Sequence, residues 1–126
     1  MVADASAALN ALLNDGAARR VLSAHQLHAP HLVDTEIASA LRRRVARDAM
    51  PAAPAERALA VWGQLAVTRY AAAPLWHRVW ALRDNLSAYD ATYVALAEAL
   101  QVDLLTADAR LARAPHVRCT VTVVPD

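Results

Sequence analysis

The sequence predicts an α/β protein: a central, mainly parallel sheet of about five strands with helices on both faces. Three observations predict it. Short β-branched or apolar runs alternate with longer stretches whose apolar residues recur every three or four positions. The stretches between the runs are long enough for the crossovers that parallel strands need. The 126 residues suffice for one core and show neither linker nor internal repeat, so a single domain over residues 1–126 is expected.

Each element has its own signal. Met1–Ala3 is short and apolar and forms a first strand ending at Asp4. Ala7–Leu13 reads as helix and fades at Asn14-Asp15-Gly16, where a second helix starts, from Ala17 to about Ala24. Leu27–Pro30 is the next strand, since Pro30 disfavours helix at Ala29. From Leu32 to about Arg47, Val33, Ile37, Ala40, Leu41 and Val45 keep helical spacing. Pro51 and Pro54 punctuate a loop, and Ala55–Leu65 is a helix with Leu59, Trp62 and Leu65 turned inward. Val67–Tyr70 is a β-branched and aromatic strand. Pro74 opens a helix to about Asp84, which Asn85-Leu86 breaks, and Ser87 starts another to about Leu100. Val102–Thr106 is the fourth strand, Asp108–Arg113 a short helix and Val117–Val124 the last strand.

Composition excludes several classes. Ala supplies 32 of the 126 residues, so the core must rest on Leu, Val and the three Trp. All 13 basic residues are Arg, against 12 acids, for a formal net charge of +1. That balance excludes a bulk polycation holding nucleic acid by net charge. The single Cys119 excludes a disulfide framework and a cysteine zinc cage and reads as an inert core thiol. No 18-residue apolar run spans a membrane, and Asp4 stands where a signal peptide would be apolar, so a cytoplasmic protein is expected.

The acids carry the chemistry. In an open parallel sheet, ligands bind beyond the carboxyl ends of the strands. Asp4 and Asp108 directly follow expected strands, Glu36 sits in the first turns of the helix after the second strand, and Asp90 lies in the first turn after Ser87. Like charges about 4 Å apart cost roughly 4 kcal/mol at an effective dielectric near 20. Helix N-termini relieve less than about 1 kcal/mol each. A divalent cation relieves far more, and an all-oxygen ligand set suits Mg²⁺ or Mn²⁺ over zinc. Such an ion binds phosphate, acidifies water and stabilises a leaving oxygen. Without these four acids the formal charge would rise from +1 to +5, which describes a basic body with an acidic pocket.

Four segments carry a family resemblance: Asp4-Ala5-Ser6-Ala7, Val33 to Leu41 around Glu36, Leu86 to Ala97 around Asp90, and Leu104 to Leu111 around Asp108. In order and spacing the chain resembles the PIN-domain ribonucleases, and more narrowly the VapC toxins of type II toxin–antitoxin systems. The resemblance covers essentially the whole chain. It implies a PIN-like three-layer α/β/α sandwich and cleavage of RNA, commonly tRNA or rRNA loops, with Mg²⁺ or Mn²⁺. It implies a homodimer, and a VapB-like antitoxin that closes the site in a heterotetramer or larger assembly. Asp4, Asp90 and Asp108 match the positions that hold the metal most directly, Glu36 the one that completes the shell, and Ser6 and Thr106 the hydroxyl positions beside it.

Each acid also has a purely structural reading. Ser87-x-x-Asp90 is a capping-box-like start, Glu36 complements a helix dipole, Thr106 or Asp4 caps the helix that follows it, and Asp108 fits a first turn. A PIN-like module that binds RNA or protein without cutting remains the alternative. A phosphotransfer enzyme with Asp4 as nucleophile is another; the haloacid dehalogenase pattern it would follow needs an Asp where Ser6 stands. Arg42, Arg43, Arg44 and Arg47 form a solvated basic face or steer phosphates, and Arg83, Arg110 and Arg113 lie close in sequence to the acids. Trp76 and Trp80 read as core or dimer interface, with base stacking open to them if exposed. His28 and His31 flank Pro30 at a zinc-like spacing without a third ligand.

Overall fold

The first strand is two residues long and lies at the centre of the sheet. In the computed structural model, which describes residues 1–125, the strands are β1 (Val2–Ala3), β2 (Leu27–Pro30), β3 (Val67–Tyr70), β4 (Leu104–Thr106) and β5 (Val121–Val123). They run in the order β3-β2-β1-β4-β5, and every pairing is parallel. Asp126, inside the expected domain, lies outside the described residues. The chain winds outward from β1 to β2 and β3, then returns to the other side of β1 for β4. The order therefore reverses between β1 and β4, the place where an open parallel sheet opens a crevice at its carboxyl edge.

The helices are α1 (Ala5–Leu13), α2 (Ala17–Ser23), α3 (Leu32–Ala46), α4 (Ala52–Gln64), α5 (Trp76–Ala81), α6 (Ala88–Leu100) and α7 (Ala109–Ala112), with a 3-10 turn at Ala73–Leu75. Alternation along the central strands divides the core between two faces. Val2 and Leu104 join a cluster with Val33, Ile37 and Leu41 of α3 and Val94 and Leu96 of α6. Ala3 and Leu105 join a smaller one with Ala18 and Leu22 of α2. Helix α6 is buried continuously from Ala91 to Ala97, as a helix apolar on all sides must be. Within that stretch Thr92 Oγ1 donates to the Ala88 carbonyl at 2.7 Å.

Four expectations change. Only Trp62 of the three Trp enters the core; Trp76 and Trp80 are 57 % and 64 % exposed. Trp76 stacks on His77 at 3.7 Å, the Arg83 guanidinium lies over the Trp80 ring, and Ala, Leu and Val fill the interior. Helix α4 buries Ala55, Ala58 and Trp62, so Leu59 and Leu65 fall on its exposed flanks. The helix from Pro74 is shorter than expected, and residues 82–85 continue as turns. The last strand is only Val121–Val123, because the chain before it is tied to side chains. Arg78 donates to the His116 carbonyl at 2.7 Å, and Glu98 accepts from the Arg118 N–H at 2.8 Å. Cys119 thus lies half-buried outside the strand, and burial pushes its thiol up to about 11, which keeps it inert.

One ion pair locks α3 to α4 and β3. Arg69 donates to both oxygens of Asp34, at 2.7 and 2.9 Å, and Trp62 Nε1 donates to Asp34 Oδ1 at 2.7 Å. The Arg69 hydrogen bonds hold the Asp34 carboxyl below its usual value. A depressed folded-state pKa gives stability that is full above the ordinary carboxyl value and is lost as pH falls through the depressed one. Water screens this part-exposed pair, so Asp34→Asn is expected to cost about 1 kcal/mol at pH 7. In urea melts the gap between variant and wild type narrows below about pH 4.

Candidate active site

The reversal between β1 and β4 collects the acids because each follows the carboxyl edge. Asp4 is the first residue past β1 and caps α1, its Oδ1 accepting from the Ala7 N–H at 2.9 Å. Asp108 is two residues past β4 and caps α7 through the Arg110 N–H at 2.9 Å. Asp90 lies in the first turn of α6, where the Ser87 hydroxyl accepts its N–H at 3.1 Å. Glu36 lies in the second turn of α3, which leaves from the end of β2. Asp4 and Asp108 thus cap their helices, while at α6 Ser87 is the cap and Asp90 lies in the first turn.

Asp4 is the best-held carboxylate. It is 6 % exposed and accepts from the Ser6 hydroxyl at 2.6 Å through Oδ1 and from Thr106 Oγ1 through Oδ2. Thr106 is fully buried. Each hydroxyl has one proton to give, so both face Asp4 as donors. Their lone pairs accept in turn: Ser6 Oγ from the Ala107 N–H at 2.9 Å, Thr106 Oγ1 from the Asp108 N–H at 3.0 Å. Ser6 and Thr106 thus join the loop after β4 to the carboxylate after β1.

Electrostatics divides the four acids. Burial pushes Asp4 above its ordinary pKa, its hydrogen bonds offset part of that, and the Asp90 charge adds to the rise. Glu36 is also raised, by burial first and then by Asp4 and Asp90, against the Tyr93 hydroxyl and Arg43. Asp90 is raised by burial and by the Asp108 charge. Asp108 alone is lowered, by the Arg110 guanidinium, which reaches both its oxygens. Burial raises three of the four carboxyls first, and at each a neighbouring acid adds to the rise.

The acids share the edge without converging on one point. Among the described residues no three His, Cys, Asp or Glu side chains stand in ready ligating positions. Two of the acids are engaged by other side chains. Tyr93, buried on α6, donates to Glu36 Oε1 at 2.6 Å, and Arg110 holds Asp108. Tyr93 was not singled out from the sequence; its signal was its position three residues after Asp90, on the same helix face. His28 donates to or accepts from the Tyr70 hydroxyl at 2.7 Å, and His28 and His31 form no metal site.

Two cavities flank the acids. One of about 530 Å³ includes Glu36, Arg43 and Tyr89. The other, about 480 Å³, includes Asp90, Asp108 and Arg110. A third, apolar groove of about 420 Å³ runs between α1, α2 and α4, with Val61 and Leu65 on its wall; none of the four acids lines it.

Known proteins share this sequence pattern and this fold. Residues 1–117 match the PIN domain. Ribonuclease VapC9 of Mycobacterium tuberculosis is 59 % identical over 125 residues, covering 99 % of this chain and 98 % of that protein. Two solved structures share the fold. One is VapC20 of Mycobacterium tuberculosis, described as a sarcin-ricin loop cleaving toxin, with a TM-score of 0.65 and 20 % identity over 89 % of this chain and 92 % of that one. The other is a toxin–antitoxin complex from Klebsiella pneumoniae, with a TM-score of 0.69 and 15 % identity over 96 % and 94 %.

Proposed function

The chain belongs to the PIN-domain family and, within it, to the VapC ribonucleases, and from that premise we propose how its acidic edge cuts RNA. It is an endoribonuclease, the toxin of a type II toxin–antitoxin pair. The substrate is proposed to be a structured loop of tRNA or rRNA, and residues 1–126 to be one PIN-like domain. PIN nucleases use divalent metal ions, and Mg²⁺ or Mn²⁺ is the proposed ion here. The donor set fits it: four carboxylates, three of them raised by burial first and then by a neighbouring acid. Asp4, Asp90 and Asp108 would hold it, with Glu36 completing the shell. Bound there, the ion would supply positive charge toward a phosphate and make a water more acidic.

The chain's own residues do the rest. Ser6 and Thr106 fix both oxygens of Asp4, so its lone pairs point where the fold sets them. Tyr93 sets the rotamer of Glu36. Arg110 is the counter-charge that Asp108 holds until a cation takes that part. The observation that carries the reading is the anchoring of a buried Asp4 at the sheet's reversal point, within electrostatic reach of Glu36 and Asp90. Chelation of divalent ions is the expected test. EDTA abolishes cleavage of purified RNA, and Mg²⁺ or Mn²⁺ restores it. Cleavage that persists at full rate in chelator refutes the metal mechanism.

An antitoxin is the expected partner. The apolar groove between α1, α2 and α4, with exposed Val61 and Leu65, supports a VapB-like helix laid along it. The exposed Trp76 and Trp80 support a homodimer, and with antitoxin a heterotetramer or larger. Among the described residues no helix is long and apolar enough to cross a membrane, and a cytoplasmic location is proposed.

A further inference from the structure

Helix α6 carries two tyrosines four residues apart with opposite fates. Tyr93 points inward, 2 % exposed, and holds Glu36. Tyr89 is 64 % exposed and sits on the wall of the cavity that contains Glu36. A ring left this open beside an acid cluster packs against nothing that the fold needs. Opposite it, α3 presents Glu36, Ser39 and Arg43 along one face, seven residues or about 10 Å of helix. Arg43 Nη1 donates to the Ser39 hydroxyl at 3.0 Å, which aims the guanidinium along that face, and its charge is felt at Glu36. Thr35 adds a second hydroxyl, and Ala5 and Ala40 are apolar parts of the lining.

These groups match the parts of a ribonucleotide: a ring for a base, a cation for a phosphate, hydroxyls for sugar or base edges. The cavity's 530 Å³ lies within the range of small-ligand sites, about 300–1,000 Å³. The cavity on the other side of the acids has Arg110 but no aromatic side chain on its wall, and that arginine is already engaged by Asp108. We propose that the cavity formed by Tyr89, Arg43, Ser39 and Thr35 beside Glu36 is a nucleotide subsite. It takes the ribonucleotide next to the scissile phosphate, with its base stacked on Tyr89 and its phosphate on Arg43. This rests on the ribonuclease reading. Stacking on a ring tolerates every base, so the subsite sets the path of the strand and selects unpaired over paired nucleotides.

The test uses a single-stranded RNA oligonucleotide carrying 2-aminopurine at successive positions, bound to the full chain with Asp4→Asn to prevent cutting. Tyr89→Ala is expected to weaken binding about tenfold and to abolish the fluorescence quench at one position. Tyr89→Phe keeps both, because the ring and not the hydroxyl does the stacking. Arg43→Gln lowers the salt dependence of binding by about 0.7 in the log–log slope, one phosphate contact fewer. Thermal melts of all variants stay at the parent midpoint, since both residues are exposed at the cavity. Tight binding with an intact quench in Tyr89→Ala, while wild type cuts RNA, overturns the subsite and leaves the ribonuclease reading standing. Equal losses in Tyr89→Phe and Tyr89→Ala overturn stacking as its basis. A wild-type chain that neither binds nor cuts RNA overturns both.

Discussion

Asp4→Asn loses RNA cleavage by about a thousandfold, roughly 4 kcal/mol of barrier, while the protein stays as stable as wild type or becomes more so. The two halves of this result have one cause. Asp4 is a buried carboxylate whose pKa burial has raised, so its charge costs stability and is retained for what it binds. Asparagine can take over the structure of the site. Its carbonyl oxygen still accepts from the Ala7 N–H and from Ser6. Its amide nitrogen takes the place of Oδ2, and the Thr106 hydroxyl then turns its proton toward Ser6 Oγ, 3.3 Å away. Initial cleavage rates and a thermal melt on the same preparation check both halves. Wild-type cleavage by the variant removes Asp4 from the machinery. Loss of folding would place it among the structural caps instead.

Ile37→Ala is expected to cost about 3–4 kcal/mol, a large part of the roughly 5–15 kcal/mol that holds such a domain together. Ile37 is fully buried between α3 and the sheet, next in sequence to Glu36. Truncation leaves a cavity that rigid strands below cannot refill. The melting midpoint falls by about 10–15 °C, and the urea midpoint falls with an unchanged slope. Leu59→Ala is the informative companion. The sequence pattern turned Leu59 inward, but it is 39 % exposed, so its truncation costs about 1 kcal/mol or less. Equal losses at the two positions would contradict the packing described above.

The strand order could be read in outline from periodicity, because buried parallel strands are short apolar runs and their crossovers are helices. Boundaries such as Leu27–Pro30 and Val67–Tyr70 were legible since proline and β-branched residues mark them locally. Positions decided by tertiary neighbours were not. Leu59 and Trp62 carry similar signals, and only packing against α3 and Arg69 picks the tryptophan. Residues 117–119 have strand-like neighbours, yet Arg78 on the His116 carbonyl and Glu98 on the Arg118 N–H, distant in sequence, engage the backbone there, and pairing with β4 begins only at the Thr120 carbonyl. At the acidic edge, the residue types and their order after strands were visible. The Tyr93 and Arg110 contacts that engage Glu36 and Asp108 required coordinates.

The bond between Thr106 and Asp4 joins residues 102 apart in the chain. Its consequence concerns translation. In a nascent chain Asp4 is made before β4, and β1 lacks its second neighbour until β4 has been synthesised. Long-range parallel pairing of this kind forms late and slowly. Products that stop within α6 would carry Asp4, Glu36 and Asp90 and still lack β4 with the Thr106 hydroxyl that holds Asp4. A copy of this nuclease interrupted before β4 is therefore inert and open to proteolysis, and cutting power arrives only once Thr106 has joined Asp4.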